Sequence, residues 1–159
     1  ANDVYGRSKS LGEVETPPHL TLRTSIIGPE IKTKGEGLFH WFMGQNETIN
    51  GYTKAFWGGV TTFELSKVIL KSIREELTGL YHVTNETKIS KFDLLSLINE
   101  HLTEKLVQIN AIEGKEVDKS LVSKKDIEFN IPSYDHMIQE MIQEILENEN
   151  IYKENYNIF

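Results

Sequence analysis

Tyr5-Gly6-Arg7-Ser8-Lys9-Ser10-Leu11-Gly12-Glu13 and, a few residues on, Leu20-Thr21-Leu22-Arg23-Thr24-Ser25-Ile26-Ile27-Gly28-Pro29 decide how this chain is read. The first stretch lies in a helical pattern from about Val4 to Val14. Thr16 and Pro17-Pro18 are expected to stop it, because the residue before a proline is pushed out of the helical region. The second is rich in β-formers and reads as a strand from His19 to Ile27 that ends in a loop at Gly28-Pro29. A tyrosine and a lysine four residues apart share one helix face, so Tyr5 and Lys9 can act together. A phenol titrates near ~10 and a neighbouring ammonium favours its ionised form. Such a pair suits proton transfer in carbonyl reduction or alcohol oxidation. By spacing alone the pair is more often a solvated helix face.

Beyond these two stretches, residues 30–36 are polar and loop-like, and Gly37 to Met43 reads as a short apolar helix ending at Gly44. Thr48 to Tyr52 suits a strand, Phe56-Trp57-Gly58-Gly59 a turn, and Thr61 to Glu76 an amphipathic helix with Phe63, Leu65, Val68, Ile69 and Ile73 inward. Gly79 to Thr84 is a second clear strand. Ser90 with Asp93 three residues later is a variant of the capping box, and it starts a helix to Leu102 with Phe92, Leu95, Leu97, Ile98 and Leu102 on its apolar face. Leu106 to Ile112 fits a short strand, and residues 113–131 are mostly loop. Tyr134 to Asn150 is a last helix with Met137, Ile138, Met141, Ile142 and Ile145 inward. The pattern is mixed α/β with three or four strands, hence a small mixed sheet with helices.

Composition removes several classes of function. The chain has 159 residues, 38% apolar and 26% charged, enough for one ordered domain. Its net charge of −7 (17 basic against 24 acidic residues) and the lack of a basic stripe argue against nucleic acid. No run approaches the ~18 apolar residues of a membrane span, and Ala1-Asn2-Asp3-Val4 has no leader character, so a cytoplasmic protein that does not engage membranes is expected. With no cysteine, thiolate metal sites and cysteine nucleophiles are excluded. The five histidines show no metal spacing, so no metal is expected. Asn46-Glu47-Thr48 and Asn85-Glu86-Thr87 match N-x-T by chance frequency. The Gly-x-Gly-x-x-Gly fingerprint of a dinucleotide site does not occur.

Tyr5-Gly6-Arg7-Ser8-Lys9, followed by Glu13 and then by Leu22-Arg23 and Gly28-Pro29, resembles the Tyr-x-x-x-Lys helix and following strand of the extended short-chain dehydrogenases. Phe56 to Lys67 is similar to the strand and helix of sugar-nucleotide members. Gly79-Leu80-Tyr81-His82-Val83-Thr84 with Ser90 to Leu95 is similar to their Gly-x-Tyr and Ser-x-x-x-Leu segments. The order holds along nearly the whole chain, and the likeness is nearest to the dTDP-4-dehydrorhamnose reductases. The resemblance implies the C-terminal part of an NAD(P)-binding Rossmann fold: residues 1–29 would be the last helix and strand of the cofactor domain, and 30–159 mainly the substrate-binding domain. It implies reduction of a keto group on a nucleotide-linked deoxysugar in cell-surface polysaccharide synthesis. NADP or NAD would be bound mainly by a half upstream of residue 1, so residues 1–159 alone would be inactive.

Carried over residue by residue, Tyr5 would be the general acid and Lys9 would hold the nicotinamide ribose, both touching the cofactor. Thr24 and Ser25 would line the nicotinamide, and Ile26 and Gly28 would face the substrate. Lys32 or Lys34 would reach a diphosphate, and Trp41, Phe42 and Met43 would either stack on a base or pack in the core. A sugar-nucleotide epimerase or dehydratase uses the same tyrosine and lysine, and a noncatalytic sugar-nucleotide binding module would keep the same architecture. A homodimer is a further expectation.

Overall fold

The computed structural model describes residues 4–32, 34–102, 107–114, 116–123 and 129–156. Helix α1 (Val4–Leu11) leads into β1 (Leu20–Arg23) and β2 (Ile26–Ile27), then α2 (Leu38–Met43). Strands β3 (Ile49–Tyr52), β4 (Ala55–Trp57) and β5 (Val60–Thr61) precede α3 (Thr62–Arg74). After β6 (Gly79–His82) and β7 (Ile89–Ser90) come α4 (Lys91–His101), β8 (Ile109–Ile112), β9 (Val117–Lys119), α5 (Tyr134–Glu147) and α6 (Glu149–Tyr152). The architecture is mixed α/β, as the element pattern predicts. Among the described residues the strands form four small sheets: β1–β6, β2–β5 and β3–β8 are parallel pairs, and β4 pairs antiparallel with β7 and parallel with β9.

Several boundaries differ from the sequence reading. Helix α1 ends at Leu11, where the chain turns through Gly12, so the prolines are not what stops it. The single strand expected over 19–27 is broken at Thr24-Ser25. Its first part pairs with β6 and its second with β5. The expected turn at 56–59 begins inside strand β4, and the expected loop 113–131 contains β9. Both are three residues long and held by pairing to distant segments, which leaves no local period to read. The predicted start at Leu106 lies outside the described residues, and β8 begins at Ile109. The last helix divides at Asn148 into α5 and α6.

The larger core joins Phe39 and Phe42 of α2 with Leu94, Leu95 and Ile98 of α4 and Ile138, Met141 and Ile145 of α5. Phe39 and Phe42 are fully buried, each stabilising the fold by roughly 1.5–3 kcal/mol relative to an exposed ring. A second cluster of Val60, Val68, Val83 and Met137 lies beneath α3. Ile69 and Ile73, expected inward, are 42% and 68% exposed; α3 turns Glu64, Val68 and Ser72 to the interior instead. On α4 the inward set is Leu94, Leu95, Ile98 and Leu102. Helices α3, α4 and α5 are capped by Thr61, Ser90 and Ser133, whose hydroxyls accept from Glu64, Asp93 and His136 amides.

Candidate active site

Tyr5 and Lys9 stand on one face of α1, with the Lys9 ammonium 5.6 Å from the Tyr5 ring centroid. Tyr5 is 71% exposed, and α1 buries none of its residues. The Ser8 hydroxyl donates back to the Tyr5 carbonyl at 2.8 Å, a local bond that leaves the phenol group outward.

Thr24 and Ser25 occupy the break between β1 and β2, and their hydrogen bonds run into the body, not to α1. The Thr24 hydroxyl lies 2.8 Å from the Val83 carbonyl, to which it donates. The Ser25 carbonyl accepts from the Val60 amide at 3.0 Å, a bond that fixes β2 against β5. That approach requires Gly59, since a Cβ there would stand 2.1 Å from the Ser25 oxygen. Ile26 is 56% exposed beyond the break, while Gly28 lies tight against Thr62. The structure thus places Thr24, Ser25, Ile26 and Gly28 consecutively along one segment, and Tyr5 and Lys9 on a separate helix.

The loop after Pro29 is built around Glu30. Its carboxylate accepts from the amides of Glu36 and Gly37, and the Gly37 bond, opposed by burial and helped by Lys32, holds the group below the ordinary carboxylate range. Lys32 is paired with Glu30 at 3.3 Å, and Lys34 is exposed. Tyr156 closes the loop from far along the chain: its buried hydroxyl accepts from the Glu30 amide at 2.7 Å and lies 3.2 Å from Nδ1 of His40. Burial pushes the Tyr156 phenol up. Of Trp41, Phe42 and Met43 on α2, Phe42 and Met43 pack in the core, and Trp41 remains 43% exposed.

Sequence reasoning missed the partners of Glu13. Its carboxylate takes both prongs of the Arg23 guanidinium, and this hydrogen bonding, opposed by burial, holds Glu13 below its ordinary range and Arg23 above. Both residues stand in the stretches that carry the resemblance, but nothing in their spacing says that they meet. Among the described residues no group of three His, Asp or Glu is arranged to hold a metal, and no helix is long and apolar enough to cross a membrane. A groove of about 350 Å³ between α3 and α5, lined by Phe63, His136, Glu140 and Gln143, includes none of the predicted site residues.

The residues present fit a nicotinamide cofactor in part. The Tyr5 phenol and Lys9 ammonium are exposed side by side, whereas the Thr24 hydroxyl is engaged as a donor to the Val83 carbonyl and can only accept from a ligand.

No family model matches the chain, and no curated protein matches it in sequence. Solved structures do. A dTDP-4-dehydrorhamnose reductase from Bacillus anthracis, in complex with NADP, superposes with a TM-score of 0.62 at 18% identity, over 79% of this chain and 48% of its own. A dTDP-glucose 4,6-dehydratase from the same organism, in complex with NAD, gives 0.55 at 15% identity, over 85% and 47%. A UDP-N-acetylglucosamine 4-epimerase from Methanobrevibacter ruminantium gives 0.54 at 16% identity, over 91% and 50%. The chain spans about half the length of these structures. Over that span it has the fold that the dTDP-4-dehydrorhamnose reductase shares with the sugar-nucleotide dehydratase and epimerase.

Proposed function

We propose that this chain is the substrate-side part of an NAD(P)-dependent reductase acting on the keto group of a nucleotide-linked deoxysugar, in a pathway of surface polysaccharide synthesis. The observation that carries the reading is the Tyr5–Lys9 pair, ammonium beside phenol, on the helix that leads into a strand of this fold. Residues 1–29 serve the cofactor side and 30–159 mainly the sugar-nucleotide side. Tyr5 gives its phenolic proton to the sugar carbonyl oxygen, and Lys9 holds the cofactor ribose and stabilises the tyrosinate left behind. The nicotinamide supplies the hydride when bound. Thr24 and Ser25 line the nicotinamide side, while Ile26 and Gly28 border the sugar; Gly28 packs tightly against Thr62, with no room for a side chain there.

The whole gene product is expected to oxidise NADPH or NADH stoichiometrically with a dTDP-4-keto-deoxysugar. Tyr5→Phe should lower kcat about 10²- to 10⁴-fold, the usual contribution of a positioned general acid. Full turnover in that variant refutes the assignment of Tyr5 as the general acid, whereas nucleotide-sugar binding without turnover in the wild type favours a noncatalytic binding module. The likeness to a dehydratase and an epimerase favours a second reading, in which the same pair works on an intermediate and the cofactor is regenerated in each cycle. Product formation without net NAD(P)H consumption selects it.

A further inference from the structure

Helix α1 buries none of its side chains, and a free helix of eight residues is marginal in water, so its placement depends on the segment that joins it to β1. The Glu13 amide donates to the Ser10 carbonyl at 3.2 Å. The Glu13 side chain therefore stands just past the last turn of α1, tied to it through the backbone. Arg23 of β1 grips it with Nε, at 2.7 Å from Oε1, and with Nη2. The third guanidinium nitrogen, Nη1, lies 2.9 Å from Nε2 of His82 on β6, and Nδ1 of His82 lies 2.8 Å from the Val122 carbonyl. A guanidinium has only protons to give and a carbonyl only lone pairs. The imidazole must therefore donate from Nδ1 and accept at Nε2. Beside this chain, the Val14 amide donates to the Thr21 hydroxyl at 3.1 Å, and that hydroxyl donates back to the Val14 carbonyl at 2.9 Å.

We infer that Glu13, Arg23 and His82 form a positioning clasp that sets the angle at which α1 presents Tyr5 and Lys9. This inference rests on the reading of Tyr5 and Lys9 as the reacting pair. A bidentate fork fixes rotation as well as distance, which a single ammonium does not. His82 takes the remaining edge of the guanidinium and so keeps its plane facing Glu13. Thr21 and Arg23, alternate residues of one strand, lie on one face of β1 and hold successive residues, 14 and 13, of the segment leaving α1. The Thr21 contact remains when the fork is removed; it anchors the segment and leaves the helix free to swing.

The test uses the whole gene product with two readouts. Amide hydrogen exchange of residues 8–12 is expected to speed up about tenfold or more in Glu13→Gln and Arg23→Lys, the loss set by one charged hydrogen bond, while β1 and β6 keep wild-type protection. In the same variants kcat should fall about tenfold, with KM for the nucleotide sugar within about twofold, since proton delivery and not binding is misplaced. His82→Ala should lose part of both properties. His82→Gln should retain them, because its carboxamide can accept from Arg23 and donate to Val122. Wild-type exchange in both Glu13→Gln and Arg23→Lys shows that no clasp exists. Faster exchange with unchanged kcat shows a tether without positioning, and overturns the inference. If the wild-type protein turns over no 4-keto sugar nucleotide, the functional reading fails separately, and the exchange experiment still decides the clasp.

Discussion

Replacing Gly59 by alanine should damage the fold at the point where the chain forms the break between β1 and β2. The added Cβ would stand 2.1 Å from the Ser25 carbonyl oxygen and 2.6 Å from the Trp57 ring. Ordinary carbon contacts lie near ~3.5 Å, so one strand must retreat by about 1 Å. The retreat acts on the 3.0 Å bond from the Val60 amide to that same oxygen, and Val60 is fully buried. Leaving a buried amide without its partner costs roughly 1–3 kcal/mol, and overpacking adds about 1–3 kcal/mol. A loss of about 3 kcal/mol is therefore expected in urea unfolding followed by circular dichroism. Gly12→Ala is the control, because a Cβ there meets only the Lys9 carbonyl at 3.6 Å. That variant should be neutral or more stable by up to about 1 kcal/mol. The reasoning fails if Gly59→Ala unfolds within about 0.5 kcal/mol of wild type, or if the two glycines respond alike.

Lys67 bridges Glu140 at 2.6 Å and the buried Glu64 at 3.1 Å. The buried Glu64 Oε2 is compensated by the Lys67 ammonium 3.1 Å away. Lys67→Met should cost about 1–3 kcal/mol, discounted for the partial exposure of the lysine, and adding Glu64→Gln should recover most of it. Tyr156→Phe keeps the edge contact with Phe39 but strips the Glu30 amide of its acceptor. A loss of about 1–2 kcal/mol and faster exchange at Glu30, Glu36 and Gly37 are expected, and unchanged exchange there would show that the phenol does not organise the loop. Glu13 is held below the ordinary carboxylate range by Arg23, so the native form is favoured above the unfolded pKa and that stabilisation is lost as pH falls through the depressed native value. Unfolding curves measured downward from about pH 5 should therefore be less steep in pH for Glu13→Gln than for wild type, and parallel curves would remove the ion pair as a source of acid sensitivity.

Much of the fold was legible where periodicity runs over a full turn or more. Helices α3, α4 and α5 were legible, α4 with its cap, since Ser90 with Asp93 and the Met137–Ile145 spacing are local signals, whereas the Thr61 and Ser133 caps were not read. Strands of two or three residues were not, because β5 and β9 owe their extension to partners far along the chain and carry no alternation of their own. The outward turn of Ile69 and Ile73 was hidden for a different reason. Apolar residues cover more than half the circumference of α3, and only its packing against α5 and β5 decides which side is inside. The site divides similarly. Tyr5, Lys9, Thr24 and Ser25 were named through the resemblance, whereas Glu13 with Arg23, and Glu30 with Tyr156, are contacts that no spacing along the chain announces.

Tyr156 meets Glu30 across 126 positions of sequence. As the chain is synthesised, Glu30 and His40 leave the ribosome long before the phenol that meets them exists. Until residue 156 emerges, the Glu30 amide and the His40 imidazole lack this partner, and Phe39 lacks the ring that covers its edge. The loop beside the predicted substrate positions is thus closed only once Tyr156 is present, and removing Tyr156 would leave the Glu30 amide and His40 without that contact.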